Sequence, residues 1–90
     1  MPKKYPPISN RDVVAILKAL NFRYSHSAGG HDFYKAEHSG KNWTVTVDEK
    51  CSPFDDFLLK SMIGQSGYSR EVFYGVTKKT AKAAGVKFLK

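Results

Sequence analysis

The stretch GGHDFY, residues 29 to 34, places a histidine directly after two glycines, at the start of a segment that alternates polar and aromatic residues. Imidazole can take up or release a proton near neutral pH. RNA cleavage without a metal needs one group that removes the 2′-hydroxyl proton and another that protonates the leaving 5′-oxygen. His31 is therefore the main candidate for proton transfer, in either role.

Several residues could hold a phosphate beside this histidine. Cations stabilise the charge that builds on phosphate oxygens, and the candidates near His31 are Arg23, Lys35 and Lys60. Lys41 is a further candidate for RNA binding. Gly29 and Gly30 would let a phosphate approach their backbone N–H groups closely. The alternative is that AGG is only a hairpin turn and His31 an ordinary residue at a strand edge, and the pattern alone does not decide between the two.

Other chemistries have little support in the sequence. His26, His31, His38 and the single cysteine, Cys51, match no tetrahedral ligand spacing, so we expect no metal and no other cofactor. One cysteine also excludes an intrachain disulfide. Neither a phosphate-binding loop of the GxxxxGK[ST] type nor a GxSxG elbow is present.

The elements that must position His31 follow from the spacing of apolar residues. Ser9 is a plausible helix N-cap, and an apolar stripe at i, i+3, i+4 and i+7 predicts a helix that ends near Asn21. Period-two alternation then predicts a half-buried strand from Phe22, and further strands at residues 31–37 and 43–47. A second helix is expected over residues 55–66, and a short helical segment after Ser69.

This order predicts an α+β fold, α-β-β-β-α, in which both helices pack on one face of a three-stranded antiparallel sheet and the other face is open to solvent. Trp43, Val45 and Val47 are assigned to the helix side. Strand two is ambiguous, and we place Tyr34 and Ala36 inward. His31, Phe33 and Lys35 then point outward near Arg23, and Phe33 remains a candidate for stacking on a base.

Length and charge limit the function. Ninety residues make one domain, for which we expect a loose arm at residues 1–8, a folded unit at 9–75 and a solvated, partly disordered basic tail at 76–90. Fifteen Lys and Arg against eight Asp and Glu give a net charge of +7, which favours a polyanion such as RNA, unless the basicity is incidental. The sequence shows no apolar leader or membrane span, so we expect a cytoplasmic protein.

GGHDFY and FLLKSMIGQSGYS, together with LKALNF and SGKNWTVTVD, resemble in order and spacing the HicA (YcfA-like) family of mRNA-cleaving toxins. The resemblance covers about residues 9 to 75. It implies a fold like that of double-stranded-RNA-binding domains, His31 as the catalytic histidine, mRNA as the substrate, and a HicB-like antitoxin that covers the site.

Departures from the family pattern bear on activity. Gly30 stands where serine is usual, and Lys60 where arginine is usual, so the bidentate grip on phosphate is lost. Thr46 and Asp48 stand where a proline and a second histidine are common. The resemblance therefore implies either a ribonuclease toxin, with lowered activity, or an RNA-binding module of the same fold that does not cut.

Overall fold

The structure is a computed structural model that describes residues 5–48, 50 and 53–89. Three antiparallel strands form one sheet in the order β1-β2-β3, and these are Arg23–Ala28, His31–His38 and Lys41–Asp48. The helices are α1 (Asn10–Ala19), which precedes the sheet, and α2 (Asp56–Ser66), α3 (Arg70–Gly75) and α4 (Lys78–Ala84), which follow it. The predicted α+β class and the order of its first five elements are confirmed.

Local capping explains where the first helices begin. The Ser9 hydroxyl accepts a hydrogen bond from the Asp12 N–H (3.1 Å), and the Asp55 carboxylate accepts one from the Leu58 N–H (2.9 Å). Each bond satisfies a backbone donor that has no partner within its helix. Helix α2 ends at Gly67, which has a positive φ of 77°.

The core lies between the sheet and the helices. Tyr34, Val45 and Val47 are buried on the side that the helices cover, as predicted. Ala36 and Trp43 are half-buried there. The helices contribute buried apolar side chains at Val13, Ile16, Leu17, Leu59, Met62 and Ile63.

Two tight turns connect the strands. Gly29 and Gly30 join β1 to β2, and Ser39 and Gly40 join β2 to β3, all with positive φ. Two-residue turns with positive φ at both positions match the right-handed twist of the flanking strands. Gly29 and Gly30 thus form the predicted hairpin turn, and they set His31 at the first position of β2.

The predicted half-buried pattern of β1 is wrong, since all six residues of the strand are exposed. The register against β2 shifts between Tyr24 and His26, as in a β-bulge. The extra residue places Tyr24 beside Tyr34 on the helix side, whereas His26 pairs with Phe33 on the other face. Tyr24 remains 57% exposed, because β1 is an edge strand that the helices leave uncovered.

The prediction of a loose arm up to residue 8 is also wrong for its described part. Ile8 is 5% exposed and forms an isolated antiparallel bridge with Phe54. The Tyr74 hydroxyl donates a hydrogen bond to the Pro6 carbonyl (3.0 Å). A buried isoleucine and two hydrogen-bonded carbonyls hold the segment against the core, so ordered structure begins before Ser9.

The basic tail is largely structured within the described residues. Helix α4 buries Thr80 and Ala81, and the Thr80 hydroxyl donates to the Tyr74 carbonyl (2.7 Å). Lys79 forms an ion pair with Asp12 of α1 (3.4 Å), and beyond the helix the Leu89 N–H donates to the Gly75 carbonyl (2.8 Å). The expectation of a solvated, partly disordered tail is therefore not met over residues 78–89.

Candidate active site at one end of the sheet

His31 is the first residue of β2, directly after the glycine turn. It is exposed, and it pairs with Ala28 on β1 and with Asp48 on β3. Within the part of the chain that the structure describes, its imidazole makes no hydrogen bond or ion pair. The ring is therefore accessible to a ligand, as a proton-transfer group must be.

Asp48 is the nearest carboxylate in the sheet register. Directly opposed residues on neighbouring antiparallel strands have Cβ atoms about 5 Å apart and share a face. Asp48 Oδ1 accepts the Lys50 N–H (2.9 Å), and the Asp48 carbonyl accepts from Asn10 Nδ2 (3.1 Å). These bonds fix the end of β3, and the carboxylate shares a sheet face with the imidazole without forming an ion pair with it.

A pocket of about 190 Å³ lies between this end of the sheet and helix α2. His31, Thr46 and Asp48 line it from the sheet, and Ser61 and Gln65 line it from the helix. Gln65 Oε1 accepts the Thr46 N–H (3.0 Å), so this side chain pairs with the exposed edge of β3 and keeps its amide nitrogen for a ligand.

Sequence analysis missed both polar helix residues of the pocket. Ser61 and Gln65 are four positions apart, and with Leu58 and Met62 they form an i, i+3, i+4, i+7 stripe. That spacing alone gave no usable signal, because the buried stripe of α2 is Leu59, Met62, Ile63 and Ser66, and Ser61 and Gln65 are exposed beside it.

The structure does not bring every predicted cation to His31. Lys60 lies about 160° around the helix from Leu58 and Met62 and about 100° from Ser61, because successive residues advance by about 100°. It is exposed and is not among the residues that line the pocket. Lys41 pairs with His38 at the opposite end of the strands. His38 is seven positions from His31 along β2, which corresponds to about 23 Å. The expected position of Lys60 beside His31 is therefore wrong.

Arg23 and Lys35 do lie together, as predicted, because they are paired in the β1-β2 register. Thr44 lies opposite Lys35 on β3, and all three side chains are exposed. They line a shallow depression of about 780 Å³, with Glu37 at its far side. Lys35 is four residues from His31, about 13 Å along the strand, so this basic pair can contact a neighbouring phosphate but not the one at His31.

The other histidines have different surroundings. His26 stacks on Phe33, with ring centroids 4.7 Å apart. His38 stacks between Trp43 (5.1 Å) and Tyr68 (4.1 Å), and its Nε2–H donates to the Ser66 carbonyl (2.8 Å). These contacts make His38 part of the packing at the end of α2.

No group of three or more His, Cys, Asp or Glu side chains in the described ranges is placed to hold a metal ion, and Cys51 lies outside them. Among the described helices, none is long and apolar enough to cross a membrane. Comparisons with protein-family models, curated proteins and solved structures found no match for this chain.

Proposed function

We propose that this chain is an RNA-binding toxin that cleaves mRNA without a metal, with His31 as the proton-transfer group. The observation that supports this most directly is the position of an accessible imidazole opposite a carboxylate, at a pocket of mixed lining with polar side chains from α2. The net charge of +7 favours a polyanionic substrate. The resemblance of GGHDFY and its neighbouring motifs to HicA toxins adds the substrate class.

In this mechanism His31 removes the proton of a 2′-hydroxyl while that oxygen attacks the adjacent phosphorus. The bond from phosphorus to the 5′-oxygen breaks, and the leaving oxygen takes a proton from solvent, which yields a 2′,3′-cyclic phosphate and a 5′-hydroxyl end. Asp48 stabilises the imidazolium that forms. If His31 is instead the acid, it gives its proton to the same 5′-oxygen.

Polar groups on α2 would hold the phosphate that reacts. The Ser61 hydroxyl and the Gln65 amide nitrogen are donors on the pocket wall that faces His31. Donors placed where charge develops lower the barrier to reaction. Arg23 and Lys35 would bind the RNA at a neighbouring phosphate.

The proposal includes two features that come from the resemblance to HicA. The order α1-β1-β2-β3-α2, with helices on one face of the sheet, is compatible with a fold like that of double-stranded-RNA-binding domains. A HicB-like antitoxin would silence the toxin by covering His31. A small acidic protein encoded beside this one would support that pairing, since its charge would complement +7.

The test is to incubate the purified protein with a long RNA in EDTA, next to its His31→Ala and Asp48→Asn variants. We expect cleavage by the native protein, a loss of about 10² to 10⁴-fold in His31→Ala, and a smaller loss in Asp48→Asn. Lys60→Gln is the matched control and should cleave normally, because Lys60 points away from the pocket. Circular dichroism establishes that each variant is folded.

The second candidate function is a non-catalytic RNA-binding module. It is favoured by the absence of a Lys or Arg side chain among the described residues that line the pocket at His31. In that case RNA stays intact with the native protein and with His31→Ala, while both bind it. Equal cleavage by the two proteins would contradict the role of His31 outright.

A further inference from the structure

We infer that the outer face of the sheet binds single-stranded RNA, with Phe33 and His26 stacking on an unpaired base and Arg23 and Lys35 contacting phosphates. The outer face is the sheet surface that carries these four residues and His31, opposite the buried core, and α2 borders it only along β3. The inference rests on the proposed function, and it adds the form of RNA and the surface that holds it.

The aromatic pair is the first argument. Phe33 lies on the central strand, and His26 is its partner in the register of β1. Their rings are stacked, with centroids 4.7 Å apart and planes within 17° of parallel. His26 is exposed and Phe33 is only half-buried, so the stacked pair is accessible to solvent on the outer face. Bases stack on such rings whatever their identity, because every base has a π-face.

The spacing along β2 is the second argument. Outward residues recur every two positions, about 7 Å apart, so the strand presents His31, then Phe33, then Lys35 in line. Arg23 lies beside Lys35 on the neighbouring strand. An RNA strand that runs along β2 would meet the proton-transfer group, the aromatic pair and the basic pair in turn.

Charge and base pairing indicate whether the outer face binds single-stranded or double-stranded RNA. Stacking on Phe33 requires a base that is unpaired and turned out, whereas a duplex is recognised through its phosphates and 2′-hydroxyls without such rings. Glu37 lies beyond Lys35 on the same face, and its carboxylate repels phosphate. The strand that binds is therefore expected to extend from His31 to Lys35 and not over the whole length of β2.

The experiment measures RNA affinity by fluorescence anisotropy in the His31→Ala background, where the proposed cleavage is removed and the RNA stays intact. The probes are a labelled RNA oligonucleotide, single-stranded, and the same oligonucleotide annealed to its complement. We expect the single strand to bind more tightly. Phe33→Leu should weaken that binding about five- to a hundredfold, the range found when a base-stacking aromatic is removed.

Two further variants keep the result interpretable. Tyr24→Leu removes an exposed aromatic ring from the helix side of the same sheet and should leave the affinity unchanged. His26→Ala changes an exposed residue, so this variant is expected to fold even if Phe33→Leu is unstable. It should also weaken binding of the single strand.

Some outcomes would overturn the inference alone. If the duplex binds as tightly as the single strand, or if Phe33→Leu and His26→Ala bind like their parent, then RNA lies elsewhere, and ribonuclease activity in the native protein would still stand. If an acidic protein partner binds and no RNA does, the inference and the proposed function fail together. Failure of the proposed function would appear separately, as intact RNA with the native protein.

Discussion

At the residue scale, Gly67 shows how one position can depend on both conformation and space. It ends α2 with a φ of 77°, and an added Cβ would lie 2.6 Å from the indole of Trp43. That indole is fixed in turn by its stack on His38 and by the hydrogen bond from Trp43 Nε1 to the His38 carbonyl (3.1 Å). A side chain at position 67 must therefore displace a packed ring.

We expect Gly67→Ala to lower the free energy of unfolding by about 3 kcal/mol. A left-handed conformation costs a non-glycine residue about 1–2 kcal/mol, and overpacking adds about 1–3 kcal/mol. Gly85→Ala is the matched control, because Gly85 also ends a helix with positive φ but has open space around it. Urea denaturation should show a clearly smaller loss of unfolding free energy for Gly85→Ala. Equal losses in the two variants would mean that the Trp43 ring moves aside without an energetic penalty.

Tyr74 predicts a dependence of stability on alkaline pH. Burial raises the pKa of Tyr74 to about 12, although Arg70 lowers it in part and Tyr5 raises it further. In the unfolded chain the pKa is about 10. The phenol therefore ionises more readily when unfolded, so its contribution to stability is complete below about pH 10 and is lost as the pH rises through about 12.

The expected result is that the free energy of unfolding of the native protein falls between pH 10 and about 12 more steeply than that of Tyr74→Phe. The variant should be less stable near neutral pH by about 1–3 kcal/mol, because the Pro6 carbonyl loses its donor. Tyr24→Phe serves as the control, since that ring is exposed. Parallel pH profiles for native protein and Tyr74→Phe would exclude Tyr74 as the group responsible.

At the scale of the elements, sequence patterns predicted the helices and turns that apolar periodicity, caps and glycines determine. They failed for the features that depend on tertiary contacts. The apolar stripe after Ser9 and the acidic residues at the start of α2 were sufficient to predict two helices. The pair of glycines was sufficient to predict a hairpin. The bulge in β1 reverses the face of His26, which no alternation pattern can show. His31 was found because its residue type is distinctive, whereas Ser61 and Gln65 became candidates only once α2 was placed beside β3.

The predictions for the two ends of the chain were wrong for a related reason. Helix α4 buries Thr80 and Ala81, small residues that make no apolar stripe among the lysines. The segment before Ser9 is held by Ile8, one apolar residue between prolines and a polar cap. Both segments are stabilised by contacts with distant residues, such as Phe54 for Ile8, and local patterns contain no signal for such contacts.

We therefore predict that Ile8→Ala destabilises the protein by about 2–4 kcal/mol, the usual cost of truncating a buried isoleucine. The loss would be seen as a lower midpoint of thermal or chemical unfolding. Pro7→Ala, which changes the exposed neighbour in the same segment, should cost about 1 kcal/mol or less. If Ile8→Ala were as stable as Pro7→Ala, the segment would contribute nothing to the fold in solution.

At the scale of the whole molecule, the question is whether the net charge of +7 acts as a diffuse attraction or through one face. A diffuse field would make every exposed lysine equivalent for RNA binding. The structure instead separates the basic residues: Arg23 and Lys35 are paired on the outer face, whereas Lys60 projects from the far side of α2. Affinity measured against salt concentration distinguishes the two situations.

For a single strand, the slope of log K against log salt changes by about 0.7 for each phosphate neutralised. We expect Lys35→Gln and Arg23→Gln each to flatten this slope by about that amount, in the His31→Ala background that keeps RNA intact. Lys60→Gln removes the same charge from the opposite side and should leave the slope nearly unchanged. Equal flattening by all three substitutions would show that net charge alone attracts RNA, and the outer face would then have no privileged role in holding it.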